Sequence, residues 1–167
     1  IAGDEPGVAP AVFLPPNLVF AATLNNDHTV RPLSPRVLDR AALIEVSATG
    51  RAALQRVGLE VSDDVEEVVE DLNDLLEARG VAFSVRAAKS LKNANELRGA
   101  SQVMSNLDHV LAQEVLSKVR LMAGDPRDEL LLSKLRDWGN RPASSDLMLC
   151  RERLALWDDA LQAGRDV

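Results

Sequence analysis

The sequence predicts a mainly α fold, a helical bundle preceded by two short parallel strands, and three observations carry that expectation. From Val61 onward apolar residues recur at helical spacing through most of the chain. The stripes are bounded by Ser or Asp before them and by Gly after several of them, as helix caps require. Upstream, Leu18, Val19, Phe20, Ala21, Ala22 and Leu24 form a nearly unbroken apolar run, the pattern of a strand buried on both faces.

Residues 1–12 are rich in Gly, Pro and Ala and read as a loop feeding the first strand. Asp4 and Glu5 follow no strand, so they read as solvated loop acids rather than a catalytic pair. The first strand enters through Pro15-Pro16-Asn17 and ends at Asn25-Asn26-Asp27. Carboxamides beyond the carboxyl end of such a strand can orient a water or a phosphate oxygen. Leu33-Ser34-Pro35 supplies an N-cap and a first-turn proline for a short helix that carries Arg36 and Arg40. Leu43-Ile44-Glu45-Val46 reads as the second strand, and the helical crossover between the two makes the pair parallel.

Ser47–Gly50 has turn chemistry, and Arg51–Arg56 is too short to define an element from sequence. Ser62 caps a helix whose first turns hold Asp63, Asp64, Glu66 and Glu67, where the macrodipole favours anions. Its inward stripe is Val61, Val65, Val68, Val69, Leu72, Leu75 and Leu76, and Gly80 closes it; the acids from Glu66 to Glu77 read as a solvated face. Ser84 caps the next helix, which places Arg86 in its first turn. A guanidinium there gains nothing from the macrodipole, so stability alone does not select it. Residues 101–122 are predicted helical with Val103, Leu107, Val110, Leu111, Val115 and Val119 inward and His109 toward solvent or a neighbouring helix. After Gly124-Asp125-Pro126 a helix carries Leu130, Leu131, Leu132, Leu135 and Trp138 and ends at Gly139. A last helix sets Cys150, Leu154, Trp157 and Leu161 on one stripe. These stripes read as core.

Composition narrows the function classes. With 167 residues, 46% of them hydrophobic, the chain can bury roughly two-thirds of its unfolded surface, which suits one domain or one and a fragment. A net charge of −7, with basic groups not gathered on one face, argues against direct binding to nucleic acid. Aromatics at 3% leave no base-stacking platform. A single Cys150 and two histidines offer no disulfide and no metal-binding spacing, and a reducing, cytoplasmic setting is expected. No run approaches the 18 or so apolar residues of a membrane helix.

The order of these motifs resembles the AAA+ ATPases, within the clade of McrB-like restriction motors and MoxR-like chaperones. Asn17-Leu18-Val19-Phe20-Ala21-Ala22-Thr23-Leu24-Asn25 is similar to that clade's N-L-x-x-x-G-T-M-N strand, with Ala22 at the usual glycine. Leu33-Ser34-Pro35-Arg36-Val37-Leu38-Asp39-Arg40 resembles its L-x-P-x-x-L-D-R helix, and Ala41 stands where phenylalanine is frequent. Leu107-Asp108 through Gln113-Glu114-Val115-Leu116 resembles a later family helix, with Glu114 and Ser117 in place of lysine and proline, so the helix is expected to run on.

The resemblance implies that residues 1–50 are the C-terminal fragment of an α/β nucleotide-binding core and residues 51–167 an α-helical lid. It implies that Asn25 is the sensor 1 asparagine, Arg40 an arginine finger acting in trans on a neighbour's nucleotide, and Arg86 the sensor 2 arginine acting in cis. The implied cofactor is ATP or GTP with Mg2+, and the implied partners are neighbouring subunits of a homo-oligomeric ring, with a further protein partner open. The residue types suit phosphoryl transfer, in which a carboxamide holds the attacking water and arginines meet charge on the γ-phosphate. The chain has no G-x-x-x-x-G-K-[ST] phosphate loop, so it is expected to be the downstream part of a larger hydrolase, neither binding nucleotide tightly nor hydrolysing it alone. The alternative from another class is a non-catalytic helical interaction domain, which has no need of a buried strand ending in Asn25-Asn26-Asp27.

Overall fold

The computed structural model describes residues 15–23, 34–44 and 50–167, and these are mainly helical. The chain divides into two units, residues 1–33 and residues 34–167. In the first unit the described residues are 15–23. They open with a turn, in which the Leu18 amide donates to the Pro15 carbonyl at 3.1 Å, and then run without regular structure. No strand occurs among the described residues of either unit. Val19 and Phe20 are 85% and 78% exposed, and Ile44 is 85% exposed, where the sequence pattern predicts buried strands. A parallel strand is stable only when neighbours take up its amides and carbonyls on both edges, and no partner strand lies among these residues. Leu24, Asn25 and residues 45–49, which complete the expected strands and their polar tip, lie outside the described residues.

The second unit begins with α1 (Pro35–Leu38). Ser34 stands in the extended region ahead of it and Pro35 takes the first helical position, as its fixed φ and missing amide allow. The helical bundle follows. Its members are α2 (Gly50–Arg56), α3 (Asp63–Leu76), α4 (Val85–Arg98), α5 (Val103–Val110), α6 (Pro126–Gly139) and α7 (Met148–Gln162). Helix α2 packs on α3 and α4, α4 on α5, α5 on α7, α7 on α6, and α6 back on α3. One continuous core results, in which Leu72, Leu76, Phe83, Leu91, Leu107, Leu111, Leu135 and Trp138 are inaccessible to solvent. Trp138 also donates its indole N–H to the Val68 carbonyl at 3.1 Å, giving the largest buried side chain a polar anchor on α3.

Helix boundaries follow their chemistry. Helix α3 tightens into a 3-10 turn over Glu77–Arg79 and stops at Gly80, whose φ of 62° is one that residues with a β-carbon avoid. Helix α4 starts where Ser84 accepts the Ala87 amide, and α6 where Asp125 accepts the Arg127 amide. Helix α5 departs from expectation. It widens into a π turn over Leu111–Val115, closes through a 3-10 turn over Leu116–Lys118, and ends as Val119 turns extended. The Ser117 hydroxyl bonds back to the Gln113 carbonyl, and Arg120 donates to the carbonyls of Ser117 and Val119, both at 2.9 Å. Side-chain bonds to the last carbonyls end the helix here.

Leu130 is 56% exposed and is not core, unlike Leu131 and Leu132. Consecutive residues on a helix point about 100° apart, so three adjacent leucines cannot share one buried face. The extended segment after α5 is held down by the chain's last residues. Leu121 and Val167 exchange backbone hydrogen bonds of 2.8 and 2.9 Å, and Asp166 accepts the Ala123 amide at 2.8 Å. No helix among the described residues is long and apolar enough to cross a membrane.

Candidate functional site

The candidate residues differ sharply in how the fold presents them. Asn25 lies outside the described residues. Arg40 stands in the turn after α1, exposed, with its amide on the Val37 carbonyl at 3.2 Å; Arg36, within α1, is exposed as well. Arg86 is exposed in the first turn of α4. None of the three arginines enters an ion pair among the described residues, whereas Arg51, Arg79, Arg136 and Arg141 each hold a carboxylate. No hydrogen bond joins Arg40 to Arg86 among these residues.

The electrostatics of the helix ends make Arg86 stand out. Four helices of the bundle, α3, α4, α6 and α7, are 14 or 15 residues long. Helix α3 carries Asp63, Asp64 and Glu66 in its first turn, and α6 carries Asp128 and Glu129. Helix α7 has no acid of its own there, but Asp108 of α5 lends it one, accepting the Leu149 and Cys150 amides at 2.7 and 2.9 Å. Helix α4 alone among the four has no carboxylate at its start and presents a guanidinium instead. Free amides and a cation then face the same water, an arrangement complementary to an anion. Two other cations sit at backbone carbonyls, Lys92 on the Val57 carbonyl at 2.8 Å and Arg120 on the end of α5.

The segment before Arg86 is tightly held. Phe83 is fully buried, and its amide donates to Asn73 Oδ1 of α3 at 2.7 Å. Ser84 then caps α4, so two bonds on consecutive residues determine where the first turn begins. The amide nitrogen of Asn73 is buried and has no hydrogen-bond partner. Asn73 was not singled out from sequence, although it interrupts the stripe of Val69, Leu72 and Leu76 with a polar side chain facing inward.

Two other buried acids are structural. Asp128 accepts the Met122 amide at 2.7 Å and pairs with the Arg79 guanidinium, which ties the start of α6 to the end of α3. Asp108 serves α7 as described. Burial, aided by the neighbouring Asp108 carboxylate, pushes the Cys150 thiol far above its ordinary range and leaves it protonated and unreactive. The acidic face of α3 is partly paired, Glu66 and Glu70 on Arg51 and Asp71 on Arg141. His109 is exposed and lines an open groove between α4 and α5 with Asn93 and Arg98; the groove does not reach Arg86. Among the described residues no cluster of His, Cys, Asp or Glu could hold a metal ion. Comparison of the chain with protein-family models, with curated proteins and with solved structures gives no match.

Proposed function

We propose that the chain is the C-terminal portion of a AAA+ nucleotide hydrolase of the McrB-like and MoxR-like kind, with residues 1–50 belonging to the nucleotide-binding core and residues 51–167 forming the lid. The observation that carries the reading is Arg86, an exposed and unpaired guanidinium at the only long helix start in the bundle without a carboxylate. A residue so placed forgoes macrodipole stabilisation and is suited to a phosphate. The motif order around Asn17–Asn25 and Leu33–Arg40 supports it independently.

In this reading Asn25 orients the attacking water, Arg40 reaches the nucleotide of a neighbouring ring subunit, and Arg86 meets the terminal phosphate in its own subunit. The described residues fit a phosphate chain through Arg86 and the first amides of α4, and they offer no cluster for Mg2+, which other groups of the hydrolase would hold. The nucleotide, ATP or GTP, supplies the transferable phosphoryl group. A cytoplasmic, ring-forming motor of restriction, defence or chaperone type is the corresponding whole.

The test is made in the full-length protein that carries the chain. Arg86→Ala should weaken nucleotide binding and hydrolysis together, because a lid arginine touches bound nucleotide before reaction as well as during it. Arg40→Ala should abolish hydrolysis with binding largely kept, since a finger acts on the neighbour's transition state. Full activity of both variants would remove the AAA+ reading and leave the helical interaction domain.

A further inference from the structure

We infer that Asn73 is a positioning residue that couples the start of the bundle to Arg86; the inference rests on the proposed role of Arg86 in binding a phosphate. Asn73 sits on the inward face of α3 with two neighbours that matter. Its Oδ1 accepts the Phe83 amide at 2.7 Å, three residues before Arg86. Its Nδ2 lies against the first residue of α2, since a β-carbon built on Gly50 would come within 3.0 Å of it. One side chain therefore touches both the residue at the proposed boundary between core and lid and the loop that sets the first turn of α4.

The side chain is a poor choice for stability alone. Its Nδ2 is buried without a hydrogen-bond partner, a state that native interiors rarely tolerate. An isosteric leucine would extend the stripe of Val69, Leu72 and Leu76 and bury no polar atom, at the cost of leaving the Phe83 amide unpaired. What leucine cannot do is hold that amide. The loop from Gly80 to Ser84 has no helix or strand ladder of its own; the burial of Val81 and Phe83 anchors its side chains, and the Asn73 bond and the Ser84 cap fix its backbone where α4 sets out, and with it the position of Arg86. Because Nδ2 packs against Gly50, a shift of α2 relative to α3 presses on the same side chain that anchors Phe83. Movement at the boundary is thereby passed to the arginine.

The experiment uses the full-length protein and three substitutions, Asn73→Leu, Asn73→Asp and Arg86→Ala, with nucleotide affinity, hydrolysis and thermal melting measured for each. Asn73→Leu strands the Phe83 amide while removing the orphaned Nδ2, so the melting temperature should fall by only a few degrees, whereas hydrolysis should fall at least tenfold, toward the 100-fold scale that an ångström of misplacement reaches. Asn73→Asp keeps an oxygen for the Phe83 amide, so it should retain activity to within a few-fold even though its buried carboxylate lowers the melting temperature. In the Arg86→Ala background Asn73→Leu should cause no further loss. Wild-type activity of Asn73→Leu, or an equal additional loss without Arg86, overturns the inference while leaving the role of Arg86 intact. If Arg86→Ala alone is harmless, the phosphate-binding reading fails and the inference falls with it. Should Asn73→Leu not fold, hydrogen exchange on the wild type decides: the Phe83 amide must exchange as slowly as the core amides of α3, and rapid exchange there overturns the proposal.

Discussion

Replacing Asp108 with alanine should be among the most damaging single changes in the bundle, although the residue lies on α5 and the damage is done to α7. Helix α7 begins at Met148 after Leu147, which has no side chain able to cap it. Two of its first amides, Leu149 and Cys150, are satisfied by the Asp108 carboxylate at 2.7 and 2.9 Å. Alanine removes both acceptors, and the Cys150 amide is buried where water cannot replace them. Each buried amide left unpaired costs about 1–3 kcal/mol, and the loss of an anion at a helix start adds roughly 0.5–1 kcal/mol. Part of this is offset because the buried carboxylate no longer has to be desolvated. A net loss of about 2–4 kcal/mol is expected. Against a typical domain stability of about 5–15 kcal/mol this is a large fraction. At roughly 3–6 °C per kcal/mol for a domain of this size, it lowers the melting temperature by about 6–24 °C. Urea and thermal unfolding followed by circular dichroism measure it, with Asp108→Asn expected to fall between the two because one oxygen remains. A loss below about 1 kcal/mol for Asp108→Ala would refute the idea that α5 caps α7.

Gly50→Ala should destabilise the bundle by about 1–3 kcal/mol, because the new β-carbon would overlap Val69 Cγ1; Val69→Ala in the same chain should restore part of the loss, and additive losses would refute the close approach. Cys150 should resist a thiol reagent at neutral pH until the chain unfolds, since burial holds the thiol protonated. Its folded pKa lies above the unfolded value, so the unfolded chain sheds this proton first and the thiol's contribution to stability falls as pH rises past roughly 8.5. Unfolding curves of wild type and Cys150→Ala at pH 7 and pH 10 read out that difference. Arg79→Ala, which strands the buried Asp128 carboxylate, should cost about 2–3 kcal/mol in urea unfolding, and no measurable loss would show that the pair contributes nothing.

Much of the bundle was written in local sequence. Ser84 and Asp125 cap α4 and α6 through bonds to amides two or three residues on, Gly80 ends α3 in the left-handed region, and the stripes of α3 and α7 face the core as their spacing predicts. These features depend on neighbours within one or two helical turns, which is why they are legible without a fold. The first-turn position of Arg86 was legible too, but its unpaired state was not, since Arg51 in the first turn of α2 holds Glu66. What depends on distant residues was not legible. Leu130 lies outside while Leu131 and Leu132 lie inside, because only the placement of α3 and α7 selects which face of α6 is buried. Asp108 looks like an ordinary polar residue within α5 until α7, 41 residues away, brings two amides to it. Asn73 looks like an interruption of a stripe until the loop at Phe83 supplies the amide that uses it. The apolar run at Leu18–Leu24 predicts a strand, yet a strand is a property of a pair, and the described part of that run finds none. Caps and stripes are local consequences of side-chain chemistry, whereas a buried polar group acquires its meaning only from the partner that tertiary packing delivers.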